Sequence, residues 1–535
     1  MERTFSLSSN LKNPRPSPKG RKKTMNPSPE GVEQCAASCE TGEQFLELLL
    51  KLREHAHQGP GKYHPPVEPD ITDLPELPAH WTWASPSQLS SAARHALAIG
   101  PFGSNLKVSD YQDEGVPLVF VRNIRSEAYA DGTKFVSESK AKELGSHTVD
   151  PGDILVTKMG EPPGDSSIYP IGAPKAVITA DCIKWRVAPD LSPKFFMYAL
   201  RAETTKRQIA TRTRGVAQKK VSLERFRDLA LPLPPLPEQR RIVARIEELF
   251  SRLAAGVAAL RHAKAQLKRY RQSVLAAAVT GQLTQAWREQ HPDTESAEEL
   301  LERILKQRRE QWNGRGKYTE PVPANEDYFR NPPATWEMAS MDALTCHITS
   351  GSRDWTKYYK VDGYAVFVMA QNVRPLKFDS TPVIRVAPPD GDRDKIRSAV
   401  ARDDLLVTIV GANTGNVCRV DKSFEDYYVC QSVALMRPVE SATAKYLDLY
   451  MNSEEHGQDQ FDKWMYGQGR PHLSFDQLRS TAVFLPTLAE QHQIVAEVEA
   501  RTTAIDHLEA ELDRQITRSN RLRQSSLAAA FSGDI

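Results

Sequence analysis

The chain has 535 residues, with 70 Lys and Arg against 68 Asp and Glu, and six cysteines. Its length suits three or four domains, and no run approaches the ~18 uncharged apolar residues of a membrane span. So few, scattered cysteines make no disulfide framework, which argues against a secreted scaffold and for a reducing cytoplasm. The net charge of +2 supplies no global basic footprint, so any DNA binding has to come from local patches.

Residues 1–40 read as a disordered basic tail. Residues 1–24 hold seven Lys/Arg against Glu2, which leaves the rest of the chain at −4. Ser and Pro accompany the charges, and no apolar stretch follows that would make a secretory signal. Cys35 and Cys39 form a lone C-x3-C without a second Cys or His pair, so no metal site is expected there. Residues 41–76 combine a short amphipathic helix (45–53) with a proline-rich linker.

Residues 77–235 read as a β-rich domain. Val116-Pro-Leu-Val-Phe-Val-Arg122, Asp153-Ile-Leu-Val-Thr157, Ala176-Val-Ile-Thr179 and Cys182-Ile-Lys-Trp-Arg-Val187 are short strand-like runs bounded by Gly, Pro and Asp. A helical pattern occupies 193–207. Pro232, Pro234, Pro235 and Pro237 close the domain, and Pro237 suits a helix start. Residues 236–283 then place apolar or small residues at 3,4 spacing: Ile242, Ile246, Leu249, Leu253, Gly256, Leu260, Ala263, Leu267, Tyr270 and Val274. This is a heptad seam on one helix, roughly 63 Å long over 238–279 and stopped by Gly281. Gly256 and Ala263 would leave room for larger side chains of a partner helix.

The order then repeats. Residues 284–331 hold a short helix (300–308) and a linker. Residues 332–487 form a second β-rich domain, with strands at Tyr364-Ala-Val-Phe-Val368, Asp404-Leu-Leu-Val-Thr-Ile-Val410 and Gln431-Ser-Val-Ala-Leu-Met436 and a helical pattern over 442–464. Residues 488–535 form a second long helix with a more polar seam: Ile494, Val498, Arg501, Ile505, Leu508, Leu512, Gln515, Ser519, Leu522 and Ser526. Gly533 stops it. A shift of 252 residues aligns Leu233-Pro-Pro-Leu-Pro-Glu-Gln with Leu485-Pro-Thr-Leu-Ala-Glu-Gln, and Arg271-Gln-Ser with Arg523-Gln-Ser, without a gap. Two rigid helices of equal length leave such a record, and they are expected to pair antiparallel. With small gaps, Trp81 answers Trp336, Gly103-Ser104 answers Gly351-Ser352, Asn123 answers Asn372, and Asp153 answers Asp404.

Chemistry is conspicuous by its degraded motifs. Asn331-Pro-Pro-Ala334 lacks the aromatic that amino-methyltransferases stack on the target base, and no glycine loop upstream would hold S-adenosylmethionine; a linker turn before Trp336 is the plainer reading. Glu138-Ser-Lys140 and Asp181-Cys-Ile-Lys184 are only fragments of a Mg²⁺ nuclease pattern, and no phosphate-binding GxxxxGK[ST] motif occurs. No catalytic and no metal-ligating residue is therefore assigned. DNA-reading candidates are better placed. Lys206-Arg-Gln-Ile-Ala-Thr-Arg-Thr-Arg-Gly-Val-Ala-Gln-Lys-Lys220 holds six basic residues and no acidic one, and Lys463-Trp-Met-Tyr-Gly-Gln-Gly-Arg-Pro-His472 is its counterpart. Arg and Lys suit phosphates and guanine edges, and Gln suits adenine. Arg212, Arg214, Gln218, Lys219 and Lys220 are the candidates in the first domain, and Lys463, Gln468, Arg470 and His472 in the second. Four glycine-containing loops add to them: 100–107, 350–357, 157–160 and 408–411.

Gly100-Pro-Phe-Gly-Ser-Asn-Leu106, Gly152-Asp-Ile-Leu-Val-Thr157, Leu233-Pro-Pro-Leu-Pro-Glu-Gln-Arg-Arg-Ile-Val243 and Gln272-Ser-Val-Leu-Ala-Ala-Ala-Val-Thr-Gly281 resemble the specificity subunit of Type I restriction-modification enzymes over about 77–283 and 332–535. The resemblance implies an α+β fold: two β-rich target-recognition domains separated by two long antiparallel coiled-coil helices, an internal tandem repeat with pseudo-two-fold symmetry. It implies a non-catalytic subunit that binds an asymmetric bipartite site on double-stranded DNA. Two modification (methyltransferase) subunits and restriction (motor-nuclease) subunits are its implied partners, and S-adenosylmethionine, ATP and Mg²⁺ belong to them. A methyltransferase fused to its own recognition region would show the cofactor loop. A plain coiled-coil scaffold would not need two different basic, β-rich domains.

Overall fold

The computed structural model describes residues 39–56, 63–130, 133–213, 219–292, 295–312, 316–325, 331–381, 383–421, 426–465 and 471–533. Arg214, Gln218, Gln468, Arg470, Cys35 and the basic tail through residue 38 lie outside them. Contacts divide the chain into two units, Met1–Val257 with Thr517–Ile535, and Ala258–Ile516.

The first unit begins with α1 (Gly42–His55), which opens on a capping box between Thr41 and Gln44. Its Phe45 and Leu49 are buried in the main core. The short helix is thus part of the domain's foundation. A ribbon of β1 (Thr82–Ala84) and β10 (Leu231–Leu233) clamps the domain's entry to its exit; Pro232 sits in this ribbon opposite Trp83, although a proline there was expected to end strand structure. Between them, β2 (Leu97–Ile99), β9 (Cys182–Trp185), β6 (Ile154–Thr157) and β7 (Ser166–Ile168) form an antiparallel sheet in that order. The second sheet runs β4 (Phe135–Val136), β3 (Val116–Val119), β8 (Ala176–Ile178), β5 (Thr148–Val149), with β3 and β8 parallel. The helical stretch after 193 is two helices, α2 (Pro193–Arg201) and α3 (Glu203–Arg212), because Ala202 is extended at φ −67°, ψ 148°.

The second unit repeats the plan. A helix, α5 (Ala297–Glu310), starts on a capping box of Ser296 and Glu299 and buries Ala297, Leu300 and Ile304. The ribbon is β11 (Glu337–Ser340) with β19 (Ala482–Leu485). The antiparallel sheet runs β12 (Thr345–Ser350), β18 (Val433–Pro438), β15 (Leu405–Thr408), β16 (Val417–Arg419). The other sheet runs β14 (Arg385–Val386), β13 (Ala365–Val368), β17 (Asp426–Val429), again with one parallel pair. Here too the helical stretch is split, into α6 (Ala444–Met451) and α7 (Gly457–Trp464). Gly457 is obligatory at the join, since a Cβ there would lie 2.6 Å from the Tyr450 carbonyl oxygen.

The two long helices, α4 (Leu236–Val279) and α8 (Leu488–Ser532), contribute to both units. In the first unit Ile242 and Ile246 share the core with Leu527, Ala530 and Phe531, and Phe531 meets Phe195 edge-on at 5.2 Å. In the second unit Val274, Leu275, Ala278 and Val279 share the core with Ile494, Val495 and Val498. Lys264 pairs with Asp513 at 2.7 Å, and Arg271 with Asp506 at 2.5 Å. Within each unit the segments therefore run antiparallel. The seam departs from the expected one: Gly256 is open to solvent, Tyr270 is 47% exposed, Leu508 54% and Leu522 45%, and Arg501 is exposed. Val257, Arg271, Thr502 and Glu509, one residue further on, take the inward places. The other seam residues of the first helix, Leu260, Ala263, Leu267 and Val274, keep their inward places, so the departures are local. Gly281 (φ 75°) and Gly533 (φ 87°) end the helices as expected; their Cβ positions are filled by Pro333 and Pro78.

Candidate nucleic-acid interface

Each β-rich domain builds the same rim from three chain segments. The first is the loop that leaves β2 or β12. Its root glycine must lack a side chain, because a Cβ on Gly100 would lie 1.9 Å from the Thr179 carbonyl oxygen and one on Gly351 1.5 Å from that of Val429. The register makes Gly100 the counterpart of Gly351, since Ile99 pairs with Ile183 as Ser350 pairs with Ala434. The expected match of Gly103 with Gly351 is thereby corrected. The second segment leaves the central strand: Lys158 N–H donates to Asp181 O at 2.7 Å, and Ile409 N–H to Ser432 O at 2.9 Å. The third is the return from α3 or α7. Val221 N–H donates to Lys158 O at 3.0 Å and Gly160 N–H to Lys219 O at 3.3 Å; Leu473 N–H donates to Ile409 O at 3.0 Å and Gly411 N–H to Pro471 O at 3.1 Å. The basic loops and the glycine loops noted in the sequence are thus brought together, pairing Met159 with Lys220 and Val410 with His472.

Buried polar contacts recur in both domains, the arginine–aspartate pairs at the end of the central strands away from the rim. Arg186 grips buried Asp153 with two bonds, at 2.7 and 2.8 Å, and Arg437 grips Asp404 at 2.8 and 2.7 Å. Each carboxylate also accepts a main-chain N–H, from Asp150 or Ala401. Asn123 and Asn372 tie their own turns, accepting from Phe120 and Met369 N–H at 2.9 Å each. Gln208 pairs both ways with the main chain of Ala230, and Gln460 with that of Ala482.

The first rim is the more basic. The Lys158 ammonium lies 4.6 Å from the centre of the Phe102 ring, and Phe102 is 60% exposed. Burial, with the nearby Lys220 charge, holds the Lys158 pKa below the ordinary lysine value against the pull of Asp181. Lys219 is half-exposed, with Glu161 at 3.8 Å, and Lys220 is exposed. Arg212 is placed differently. Its guanidinium bonds Asp228 at 2.7 Å and Asp70 at 3.4 Å, and its side chain is only 17% exposed; a base contact would require it to abandon both carboxylates. In the second domain Lys463 projects from α7 beside Asp459 at 2.8 Å, with 64% of its side chain exposed, and His472 is half-buried on the rim. Juxtaposed Phe102 and Lys158, far apart in sequence, were not individually singled out; the Asp153–Asp404 equivalence, carried along the strands, was the signal that leads to them.

The degraded motifs have structural occupations. Trp336 N–H donates to Pro333 O at 2.9 Å as Trp81 N–H donates to Pro78 O at 2.8 Å, so Asn331-Pro-Pro-Ala334 is a turn shared by both repeats. Both indole N–H groups then bond a helix-start glutamate, Glu490 at 2.9 Å and Glu238 at 3.1 Å. Lys184 is buried and donates to the Thr148 carbonyl at 2.5 Å. Among the described residues no cluster of His, Cys, Asp and Glu could hold a metal ion, and no helix is long and apolar enough to cross a membrane.

Comparison with known proteins agrees with this architecture. The family model described as the Type I restriction modification DNA specificity domain matches residues 112–259 and 397–518. The chain is 26% identical over 451 residues to the Type I restriction enzyme EcoBI specificity subunit of Escherichia coli, covering 81% of this chain and 83% of that one. It is 23% identical over 468 residues to the EcoKI specificity subunit of Escherichia coli K12, covering 86% and 90%. Its fold is similar to that of a solved chain from work on assembly and conformational transition of the Type I restriction-modification system, with a TM-score of 0.59 at 18% identity over 86% of this chain and 100% of that one. Two matched regions, one in each repeat, together span half of the chain, and the chain belongs to the specificity subunits of Type I restriction-modification systems, the non-catalytic components that carry DNA recognition.

Proposed function

We propose that the chain reads an asymmetric bipartite site on double-stranded DNA, with residues 77–235 reading one half-site and residues 332–487 the other. The observation that carries this reading is one rim built twice on the same main-chain bonds with different side chains: Lys158, Lys219 and Lys220 in one, Ile409, Pro471 and His472 in the other. Identical scaffolds with unlike side chains imply unlike half-sites. Lys219, Lys220 and His472 adjoin the shared main-chain bonds of these rims, Lys463 stands at the end of α7, and Arg214, Gln218, Gln468 and Arg470 belong to the adjoining loops. Arg212 is assigned to the framework on account of its two carboxylate partners.

The paired helices 236–283 and 488–535 are the proposed docking surface for two modification subunits, with restriction subunits joining the assembly in the cytoplasm. This chain binds no cofactor in that scheme; S-adenosylmethionine, ATP and Mg²⁺ act on the partners. The deciding experiment reconstitutes the chain with modification subunits and measures methylation of DNA libraries randomised in each half-site separately. Replacing Lys219 and Lys220 by Ala should weaken binding with a reduced salt dependence, by roughly 0.9 in log–log slope per lost phosphate contact. Changes at Arg214 or Gln218 should alter one half-site only. Specificity that shifts in both halves together would overturn the assignment of one reader to each half-site.

A further inference from the structure

The strand register allows the two readers to be compared side chain by side chain. Ile99 and Ser350 are equivalent through their pairing with Ile183 and Ala434, and those residues face Val156 and Val407 in turn. Three residues beyond Ile99 stands Phe102; three beyond Ser350 stands Arg353. Each is the residue immediately before a 3-10 turn, Gly103–Asn105 in the first reader and Asp354–Tyr358 in the second. Each follows a root glycine whose missing Cβ lets the loop lie against the neighbouring main chain. Both side chains are exposed. By register, one position thus presents a phenyl ring in one reader, on extended backbone (φ −95°, ψ 150°), and a guanidinium in the other, on helical backbone (φ −80°, ψ −31°).

An apolar ring 60% exposed to water is unfavourable by itself, and Phe102 lies in a cationic setting: Lys158 at 4.6 Å from its centre, with Lys220 bridged to the next residue, Met159, and Lys219 beside it facing Glu161. Cations around an aromatic surface suit a polyanion that also offers apolar contact, and the major groove of DNA does so through the thymine methyl group. A guanidinium at the same position suits the N7 and O6 acceptors of guanine, which it can bond together.

We propose that Phe102 and Arg353 are equivalent specificity-determining residues, Phe102 contacting a thymine methyl in one half-site and Arg353 bonding guanine N7 and O6 in the other. This rests on the assignment of one reader to each half-site. The test uses the full chain assembled with modification subunits and methylation of the two half-site libraries. Phe102→Arg should change one position of one half-site from T to G by roughly tenfold or more and leave the other half-site as it was. Arg353→Phe should make the reciprocal change, and Arg353→Gln should move the same position from G toward A. Uracil in place of that thymine should weaken binding by the native chain and have no effect on Phe102→Ala. If a variant fails to assemble, Phe102→Leu and Arg353→Gln decide in its place. Assembled variants that keep the native preference at every position overturn the proposal. A native complex with no bipartite preference would instead defeat the reading on which it rests.

Discussion

Asp448 offers a test of the second reader's interior. It sits on α6 with 8% of its surface exposed. It accepts a bond from Asn452 Nδ2 at 3.0 Å and another from the Arg419 main-chain N–H, while the Arg419 guanidinium is engaged by Asp403 at 2.7 Å. Burial is the dominant influence and raises its pKa from 3.8 to about 7, against the smaller opposing effect of Arg419. Between those two values the folded chain keeps a proton that the unfolded chain has released. Stability therefore falls as pH rises through this window and levels off above about 7. Three pH units at 1.36 kcal/mol each set the full effect at about 4 kcal/mol. Asp448→Asn removes the titration and preserves an acceptor for Asn452 and the Arg419 N–H. In urea unfolding followed by hydrogen exchange of residues 405–451, the stability of the variant relative to the native chain should rise by about 3 kcal/mol between pH 5 and pH 8. A difference that stays flat from pH 5 to 8, or widens as the pH falls, would refute the reasoning.

Other consequences are open to measurement. Arg186→Met strands the Asp153 carboxylate, 2% exposed, with only the Asp150 N–H, and should cost about 3 kcal/mol in the unfolding of the first unit; a loss below about 1 kcal/mol would show that the pair is not what holds the β6–β9 corner. Gly100→Ala should destabilise far more than Gly103→Ala, since a Cβ at Gly103 meets nothing within 4 Å and incurs only the left-handed strain of φ 53°, about 1–2 kcal/mol. Equal effects in thermal melts would undo the register that equates Gly100 with Gly351. Charge at both half-buried Leu253 and Leu260 should abolish assembly with modification subunits while circular dichroism of the readers stays native; an intact, active complex would rule out the helices as the docking surface.

Much of the architecture was legible because it rests on local signals. The two helix periods, the stops at Gly281 and Gly533 and the strands around Asp153 and Asp404 are all decided within a few residues. What escaped depends on distant partners. No breaker residue marks Ala202, where packing of α2 and α3 bends an otherwise helical stretch. Arg212 reads as a DNA ligand in a run of six basic residues until Asp70, 142 positions away, is found beside it. At Gly256 and Tyr270 the neighbouring Val257 and Arg271 take the inward place, while Leu260 and Leu267 between them keep theirs. Phe102 and Lys158 meet only because β2 and β6 both border β9, so their pairing had no trace in either loop alone.

The divided first unit bears on the order in which the protein is made. Its core closes when Leu527, Ala530 and Phe531 reach Phe195 and Ile242, and those last residues leave the ribosome only after the whole of the second unit. The second unit, continuous in the chain, emerges whole before those residues do. The domain translated first is therefore the one completed last, and during that interval its apolar floor waits uncovered. A released chain that stops before residue 517 would hold every residue of the second unit and lack those that close the first core, so its first reader would be the one left exposed.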